Sequence, residues 1–170
     1  MGRDKALLPY AGATLLAHQV ELLRASGACD EVLVSGDRPG WPSVPDLRPG
    51  CGPLGALEAV VARLPGRRLL VVPVDMPGLR PDDLRMLANA GDAPLVHFAD
   101  LMLPLRLRAD AAAATAIAQL LEASGEPGGR GASLHALATA LAALALPRPP
   151  GDDARWRNLN TPLDYEGARP

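Results

Sequence analysis

Apolar residues recur along the chain with two spacings that alternate. Helical spacing predicts helices at Ala13–Ser26, Pro53–Arg63, Arg80–Ala90, Asp110–Ala123 and Ser133–Leu144. Short apolar runs between them predict strands at Glu31–Ser35, Leu69–Val74, Pro94–Phe98 and Leu103–Arg108. The run Leu69–Val74 is continuous, which is typical of a strand buried on both faces, and Pro73 should lie near its end. The alternation predicts an α/β fold with a mostly parallel sheet covered on both faces.

In such sheets, ligands bind outside the carboxyl ends of the strands. The residues that follow the predicted strands are therefore candidates, namely Ser35–Arg38, Asp46 and Asp75–Pro77. Asp75 offers a carboxylate that can hold a hard cation such as Mg²⁺. A turn or helix-cap role for Asp75 is the alternative, and Asp46 can likewise contact a sugar or base or only begin a turn.

Composition narrows the class of protein. The 170 residues fit one domain (1–170), with a Pro/Gly-rich linker at 147–157 before the C-terminal segment. A net charge of −2 gives no support for nucleic-acid or membrane binding. Two cysteines without metal-ligand spacing and the absence of a visible signal peptide favour a reducing cytoplasm. No spacing supports a nucleophilic triad. The arginines at 155 and 157 are expected on a solvated surface, and contact with a partner or a phosphate is the alternative.

The chain contains a single lysine, Lys5, among 17 basic residues. An ammonium group suits a phosphate oxygen where a planar guanidinium would not fit. Gly2 and Arg3 beside it are typical of a phosphate-binding loop, although a charged terminus is the alternative. Gly52, Pro53 and Leu54 could let backbone approach a ligand at a helix N-terminus, or form a plain loop.

Four segments, in this order, resemble the molybdenum cofactor guanylyltransferase family within the wider nucleotidyltransferase fold. They are Met1–Pro9, Gly52–Ala56, Val74–Pro77 and Asn158–Pro162. Pro104–Leu105 is similar to a Pro-Leu segment of that family, and Asp-Met-Pro at 75–77 resembles the guanylyl branch more than the cytidylyl branch. The resemblance extends along essentially the whole chain. It implies a Rossmann-like, three-layer α/β/α fold of the nucleotide-diphospho-sugar transferase type.

The resemblance also implies a reaction, in which the terminal phosphate of molybdopterin cofactor attacks the α-phosphate of GTP and releases pyrophosphate. The implied catalytic residues are Lys5, Arg3 and Asp75, with Asp75 as ligand of Mg²⁺. The implied nucleotide side comprises Gly2, Lys5, Ser35, Asp46, Gly52, Pro53, Leu54 and Asp75. The implied pterin side comprises Pro104, Asn158 and Asn160. A molybdoenzyme or the chaperone that delivers the cofactor is a further implied partner.

The chain departs from the family at two places. The family's loop begins with Leu-Ala-Gly-Gly after a first strand, whereas this sequence starts in the second half of that loop, and Ser35 stands where the family often has Asn. Three explanations stay open: a start codon assigned too late, a binding module with impaired catalysis, or a cytidylyl or sugar-phosphate transferase. We expect weak GTP binding by the 170-residue chain and two unpaired sheet edges beside the missing strand.

Overall fold

The computed structural model of the protein describes residues 4–125, 133–151, 153–160 and 164–165. Its helices are α1 (Leu15–Ser26), α2 (Gly52–Arg63), α3 (Pro81–Ala88), α4 (Ala111–Ala123) and α5 (Leu134–Ala140). Its strands are β1 (Pro9–Tyr10), β2 (Ala13–Thr14), β3 (Val34–Ser35), β4 (Ser43–Val44), β5 (Arg68–Val71), β6 (Leu95–Phe98), β7 (Leu105–Arg108) and β8 (Leu144–Leu146). Single 3₁₀ turns cover Lys5–Leu7 and Asp153–Trp156.

Local capping explains where the helices begin. Thr14 accepts a hydrogen bond from the Ala17 amide and starts α1, and Gly27 ends that helix in the left-handed region, at a φ of 62°. Asp110 accepts a hydrogen bond from the amide of Ala113 and starts α4.

The main sheet has the strand order β5-β7-β6-β8. Strands β5, β6 and β8 run in one direction, whereas β7 lies antiparallel between β5 and β6. The α/β class is therefore confirmed, but the sheet is mixed. The hairpin-like return of β7 beside β6 inserts an antiparallel strand into an otherwise parallel arrangement.

Helices cover both faces of this sheet and form two apolar cores. On one face, Leu95 and Leu107 pack with α2, α4 and α5. On the other face, Val96 and Phe98 pack with α1 and α3. Successive strand residues point to opposite faces, so Leu95–Phe98 supplies both cores in alternation. The arrangement is the expected three-layer one, and no helix among the described residues is long and apolar enough to cross a membrane.

Most predicted elements begin or end at slightly different residues in the structure, and three differences have a clear physical cause or a large effect. The strand predicted over Leu69–Val74 ends at Val71, because Pro73 cannot donate to a ladder. The strand predicted over Glu31–Ser35 is reduced to β3. The helix predicted over Ser133–Leu144 ends at Ala140, where Ala142 takes a φ of 48° and Leu144 begins a strand paired with β6.

A gap separates the main sheet from a second, two-stranded parallel sheet formed by β3 and β4. Among the described residues, β3 pairs only with β4 and β5 only with β7, which matches the two unpaired edges expected from the sequence. Two cavities of about 190 and 220 Å³ lie between the edges. The residues that line both cavities are Leu23, Leu33, Ser35 and Val72.

Candidate active site

Lys5, Asp75 and Asn160 meet although they are far apart in sequence. The ammonium nitrogen of Lys5 donates a hydrogen bond of 3.0 Å to the side-chain oxygen of Asn160 and lies 3.5 Å from an oxygen of Asp75. The Lys5 and Asp75 side chains are 32% and 21% exposed, so both can reach a bound molecule. The cluster lies beyond the carboxyl end of β5, where ligands of α/β sheets bind.

Three hydrogen bonds, accepted by three consecutive backbone carbonyls of the loop, hold the loop that carries Asp75 in place. The Asp75 carbonyl accepts a hydrogen bond of 2.7 Å from the Leu159 amide. The Met76 carbonyl accepts one of 2.8 Å from the side-chain amide of Gln19. His18 lies 3.0 Å from the Pro77 carbonyl through Nε2, which must carry the proton because a carbonyl only accepts. The Asp75 loop is therefore fixed from α1 and from the C-terminal segment.

The turn that carries Lys5 is fixed at its start. Asp4 caps this turn by accepting a hydrogen bond of 3.0 Å from the Ala6 amide, and Ala6 is buried against α1. Arg38 forms an ion pair with Asp4 and thereby ties the turn to the segment after β3. The hydrogen bond from Arg38 lowers the pKa of the Asp4 carboxyl, and the Ala6 amide acts in the same direction.

A cleft of about 890 Å³ opens beside Asn160. Arg80, Arg157 and Asn158 lie on its wall and are exposed, and the partly exposed Tyr10 also lines it. The wall therefore combines positive charge, amide groups and an aromatic residue. The carboxylate of Asp164, in the same wall, accepts a hydrogen bond of 3.1 Å from the Asn160 amide, whereas Thr161–Leu163 lie outside the described residues.

The nucleotide-side residues predicted from the sequence lie on other elements. Ser35 is exposed at the end of β3 and lines the gap described above. Asp46 has a buried side-chain oxygen without a hydrogen-bond partner among the described residues. Gly52 and Pro53 are exposed in the first turn of α2, but the side chain of Leu54 is buried in the core, so only its backbone can face a ligand.

The remaining predicted residues are not joined to the lysine cluster by any described contact. Gly2 and Arg3 lie outside the described residues. Pro104 is buried after a cis peptide bond at the start of β7 and does not line the described wall of the large cleft. Asn158 is on that wall, two positions before Asn160.

A metal at Asp75 fits the chemistry of this cluster. Among the described residues, no group of three or more His, Cys, Asp or Glu side chains gathers to form a ligand cage. Mg²⁺ does not need such a cage, since it is commonly held by one or two carboxylates together with waters and substrate phosphates. The partly exposed carboxylate of Asp75 suits that mode of binding.

Sequence reasoning missed two positioning groups. They are His18 and Gln19, which lie in α1. The available signal is the position of Gln19 next to the buried Val20, because a buried side-chain amide requires a hydrogen-bond partner. The expectation that Arg155 lies on a solvated surface is wrong, because its side chain is only 7% exposed and is paired with Asp83. The exposed position expected for Arg157 is confirmed.

A three-layer α/β fold with a lysine and a carboxylate beyond one strand end is the arrangement of a nucleotidyltransferase. The chain belongs to the family of the MobA-like NTP transferase domain, whose model matches residues 1–145. It is 40% identical, over 166 residues, to a molybdenum cofactor guanylyltransferase of Xanthomonas euvesicatoria pv. vesicatoria (strain 85-10). That match covers 97% of this chain and 85% of the relative. The resemblance inferred from the sequence is thus confirmed.

Solved structures share the fold at low sequence identity. Molybdopterin-guanine dinucleotide biosynthesis protein A from Archaeoglobus fulgidus has a TM-score of 0.73 at 19% identity, covering 99% of this chain and 90% of that chain. The 2-C-methyl-D-erythritol 4-phosphate cytidylyltransferase from Thermus thermophilus has a TM-score of 0.69 at 18% identity, covering 97% and 91%. Enzymes named for different substrates share this fold, so the substrate must be argued from the site.

Proposed function

We propose that the protein transfers GMP from GTP to molybdopterin cofactor, forming the guanine dinucleotide cofactor and releasing pyrophosphate. The observation that carries the proposal is the position of Lys5, which contacts Asp75 on one side and Asn160 on the other. One residue thereby joins the predicted metal and nucleotide side to the predicted pterin side. The 40% identity to a molybdenum cofactor guanylyltransferase supports the choice of substrates.

Lys5 has the donor capacity that this role requires. An ammonium group has three N–H donors, and the contacts with Asp75 and Asn160 use two of them. A third donor can point to a phosphate oxygen. A cation fixed between two protein groups stabilises negative charge on the transferred phosphoryl group without reorganising during the reaction.

Asp75 is the residue that would hold Mg²⁺, with substrate phosphates and waters completing the shell. When bound, the metal neutralises phosphate charge and acts as a Lewis acid. The protein's own contribution is positional: the three hydrogen bonds to the carbonyls at 75–77 fix the carboxylate before substrate arrives. Such preorganisation lowers the barrier because the reacting groups are already oriented.

The large cleft is the proposed site for molybdopterin cofactor. Its volume of about 890 Å³ falls in the range of small-molecule pockets. The amides of Asn158 and Asn160 can both donate and accept hydrogen bonds, as a pterin ring requires. Arg80 and Arg157 offer guanidinium groups to the terminal phosphate, which is the nucleophile of the proposed reaction.

The N-terminus of α2 is the proposed nucleotide side. Its cap residue, Cys51, forms no side-chain hydrogen bond with the first turn, which leaves the backbone N–H groups of Gly52 and Leu54 without a side-chain cap, whereas Pro53 has no N–H. The buried oxygen of Asp46 that lacks a described partner is a candidate acceptor for a ribose or base donor. Ser35 is the further candidate for base contact.

Turnover with defined substrates tests the proposal. Purified protein is incubated with Mg²⁺, molybdopterin cofactor and either GTP or CTP, and both pyrophosphate and the dinucleotide product are measured. We expect product with GTP and at least tenfold less with CTP. Equal or better turnover with CTP would favour a cytidylyl transferase, and binding without turnover would favour the impaired binding module.

Variants of the central cluster locate the reaction. Lys5→Arg and Asp75→Asn should each lower kcat/KM by about 100-fold, since each removes a group matched to phosphate or metal. Glu122→Gln is a matched control, because Glu122 is an exposed carboxylate on α4, and its kcat/KM should stay within twofold of the parent. An unchanged kcat/KM in Lys5→Arg would remove Lys5 from the proposed mechanism.

A further inference from the structure

A buried ion pair joins the C-terminal segment to the start of α3. The guanidinium of Arg155 donates a hydrogen bond to Asp83, and their side chains are 7% and 2% exposed. The same oxygen of Asp83 accepts a hydrogen bond of 2.9 Å from the Arg80 amide, at the cap of α3. Asp83 therefore ties the 3₁₀ turn of Arg155 to a fixed helix end.

The backbone around Arg155 is packed without spare room. A Cβ atom placed on Gly78 would lie 2.7 Å from both the Cα and the carbonyl oxygen of Arg155. The guanidinium of Arg155 also lies 4.3 Å from the centre of the Trp156 ring, which contacts Phe98 edge-on at 4.9 Å. Gly78 lies three positions after Asp75, so this packing places the turn directly against the end of that loop.

The segment after this turn carries the amides of the candidate site. Leu159 donates its amide to the Asp75 carbonyl, and Asn160 accepts from Lys5. Asn160 follows Arg155 closely in the chain, at the end of the same short segment. A shift of Arg155 would therefore move Asn158 and Asn160 relative to the lysine cluster.

Two features argue that the pair serves geometry. Burial of two charges costs desolvation, and well-packed apolar residues of similar size often give equal stability. A guanidinium bonded to a carboxylate does, however, fix direction as well as distance. The pair holds a segment that both bonds to the Asp75 loop and lines the large cleft.

We infer that Arg155 and Asp83 are positioning residues that set the affinity for the second substrate, through the placement of Asn158 and Asn160. The inference rests on the proposed function. It separates the two substrates, because the pair supports the cleft side of the site and makes no described contact with Asp46, Gly52 or Pro53.

Steady-state kinetics of Asp83→Asn and Arg155→Lys test the inference. Asparagine keeps the shape of Asp83 without its charge, and lysine keeps the charge of Arg155 without the planar fork. We expect the KM for molybdopterin cofactor to rise tenfold or more, and to rise at least threefold more than the KM for GTP, since Leu159 also holds the Asp75 loop. A purely structural role would lower thermal stability and leave the ratio of the two KM values unchanged, which would overturn the inference.

The chain supplies matched controls. Asp82 is the neighbour of Asp83 on α3, but its side chain is 82% exposed and pairs with Arg85 at the surface. Arg24 is an exposed arginine paired with Glu21. Asp82→Asn and Arg24→Lys should therefore leave both KM values within twofold of the parent. A rise in the KM for molybdopterin cofactor in either control, equal to that in the test variants, would also overturn the inference.

Hydrogen exchange at the Leu159 amide decides the question independently of turnover. Loss of the ion pair should speed this exchange at least tenfold in Asp83→Asn, with no change in Asp82→Asn. If Asp83→Asn does not fold, Arg155→Lys carries the same measurement. Inactivity of the parent protein with GTP would overturn the proposed function, whereas unchanged exchange and an unchanged KM ratio would overturn only the positioning role.

Discussion

The side-chain amide of Gln19 donates a hydrogen bond of 2.8 Å to the carbonyl of Met76, the residue that follows Asp75. Gln19 is only 4% exposed, and Met76 is 1% exposed. This bond links the first helix to the loop that carries the candidate metal ligand. It therefore makes the position of Asp75 dependent on a residue that has no chemistry of its own in the proposed reaction.

Replacement of Gln19 by leucine should leave the Met76 carbonyl buried without a partner. We expect a loss of about 1–3 kcal/mol in the free energy of unfolding, the usual cost of an unsatisfied buried acceptor. We also expect kcat to fall about tenfold, because a small displacement of a positioned group slows the reaction. Denaturant titration and turnover measure the two effects. Gln119→Leu, on the exposed side of α4, is the control and should change neither.

The ion pair of Asp4 with Arg38 should depend on pH and salt. The folded state lowers the pKa of Asp4, so its contribution to stability is complete above the ordinary pKa of about 4 and is lost as pH falls through the lowered value. Both side chains are about one-third exposed, which limits the contribution to about 0–1 kcal/mol.

An NMR titration of Asp4 measures this directly. In Arg38→Met, the pKa of Asp4 should rise toward the ordinary value, because the largest cause of its lowering is gone. Arg24→Met removes an exposed arginine that pairs with Glu21 and should leave the Asp4 titration unchanged. An unaltered pKa in Arg38→Met would show that the pair does not form in solution.

The two helices α4 and α5 offer a direct comparison of caps. Asp110→Ala should destabilise the protein by about 1 kcal/mol, the typical value for loss of an N-cap side chain. Asp110→Asn keeps the acceptor and should cost less. The hydrogen bond from the Ala113 amide, followed by that from Arg108, lowers the pKa of Asp110, so the charge contributes above about pH 4 and is lost in acid.

Thermal unfolding of these variants at pH 7 and pH 3 provides the measurement. Ser133→Ala removes the equivalent cap of α5. The loss of stability that it causes should be the same at both pH values, since serine does not titrate. Equal pH dependence in Asp110→Ala and Ser133→Ala would contradict the assignment.

Much of the fold followed from local patterns, and the exceptions have physical causes. All five helices predicted in the Sequence analysis are present over most of their predicted lengths, because each has a clear apolar face. The sequence does not predict β8, since Leu134–Leu146 is apolar apart from His135 and Thr139. Only pairing with a distant strand, β6, decides that Leu144–Leu146 is extended. The backbone at Ala142 is left-handed although the residue is not glycine, so the sequence does not indicate a turn there.

The candidate site was predictable in part for the same reason. Lys5 and Asp75 stood out through composition and position after a strand, and their contact agrees with the resemblance. The burial of Arg155 depends on Asp83, which lies 72 positions earlier in the chain. No local spacing encodes such a pair, so an arginine in a Pro/Gly-rich segment is taken for a surface residue until the tertiary fold is known.

The two sheet edges that face the gap should exchange their amide hydrogens rapidly. The amides of Val34 and Gly36 donate to Pro42 and Val44, so the amide of Ser35 between them points away from β4. In β5, the Ala109 amide donates to the Arg67 carbonyl, and backbone groups of an antiparallel pair bond to the partner strand at every second residue. The amide of Leu69 therefore faces β7, whereas the amide of Leu70 points away from it. Ser35 should therefore exchange at least tenfold faster than Val34, and Leu70 faster than Leu69, by NMR-detected exchange. Equal protection within each pair would show that the gap is filled in solution.

The same gap divides the molecule into parts of unequal cooperativity. No backbone ladder joins β3 to β5 among the described residues, and β3 and β4 contribute only two residues each to their own sheet. Local unfolding of the region around Ser35 therefore costs less free energy than unfolding of the four-stranded sheet, whose strands are joined by three hydrogen-bonded ladders. When a ligand orders this region, the free energy of local folding reduces the observed free energy of binding. The affinity for a ligand that contacts Ser35 is therefore governed by a local folding equilibrium.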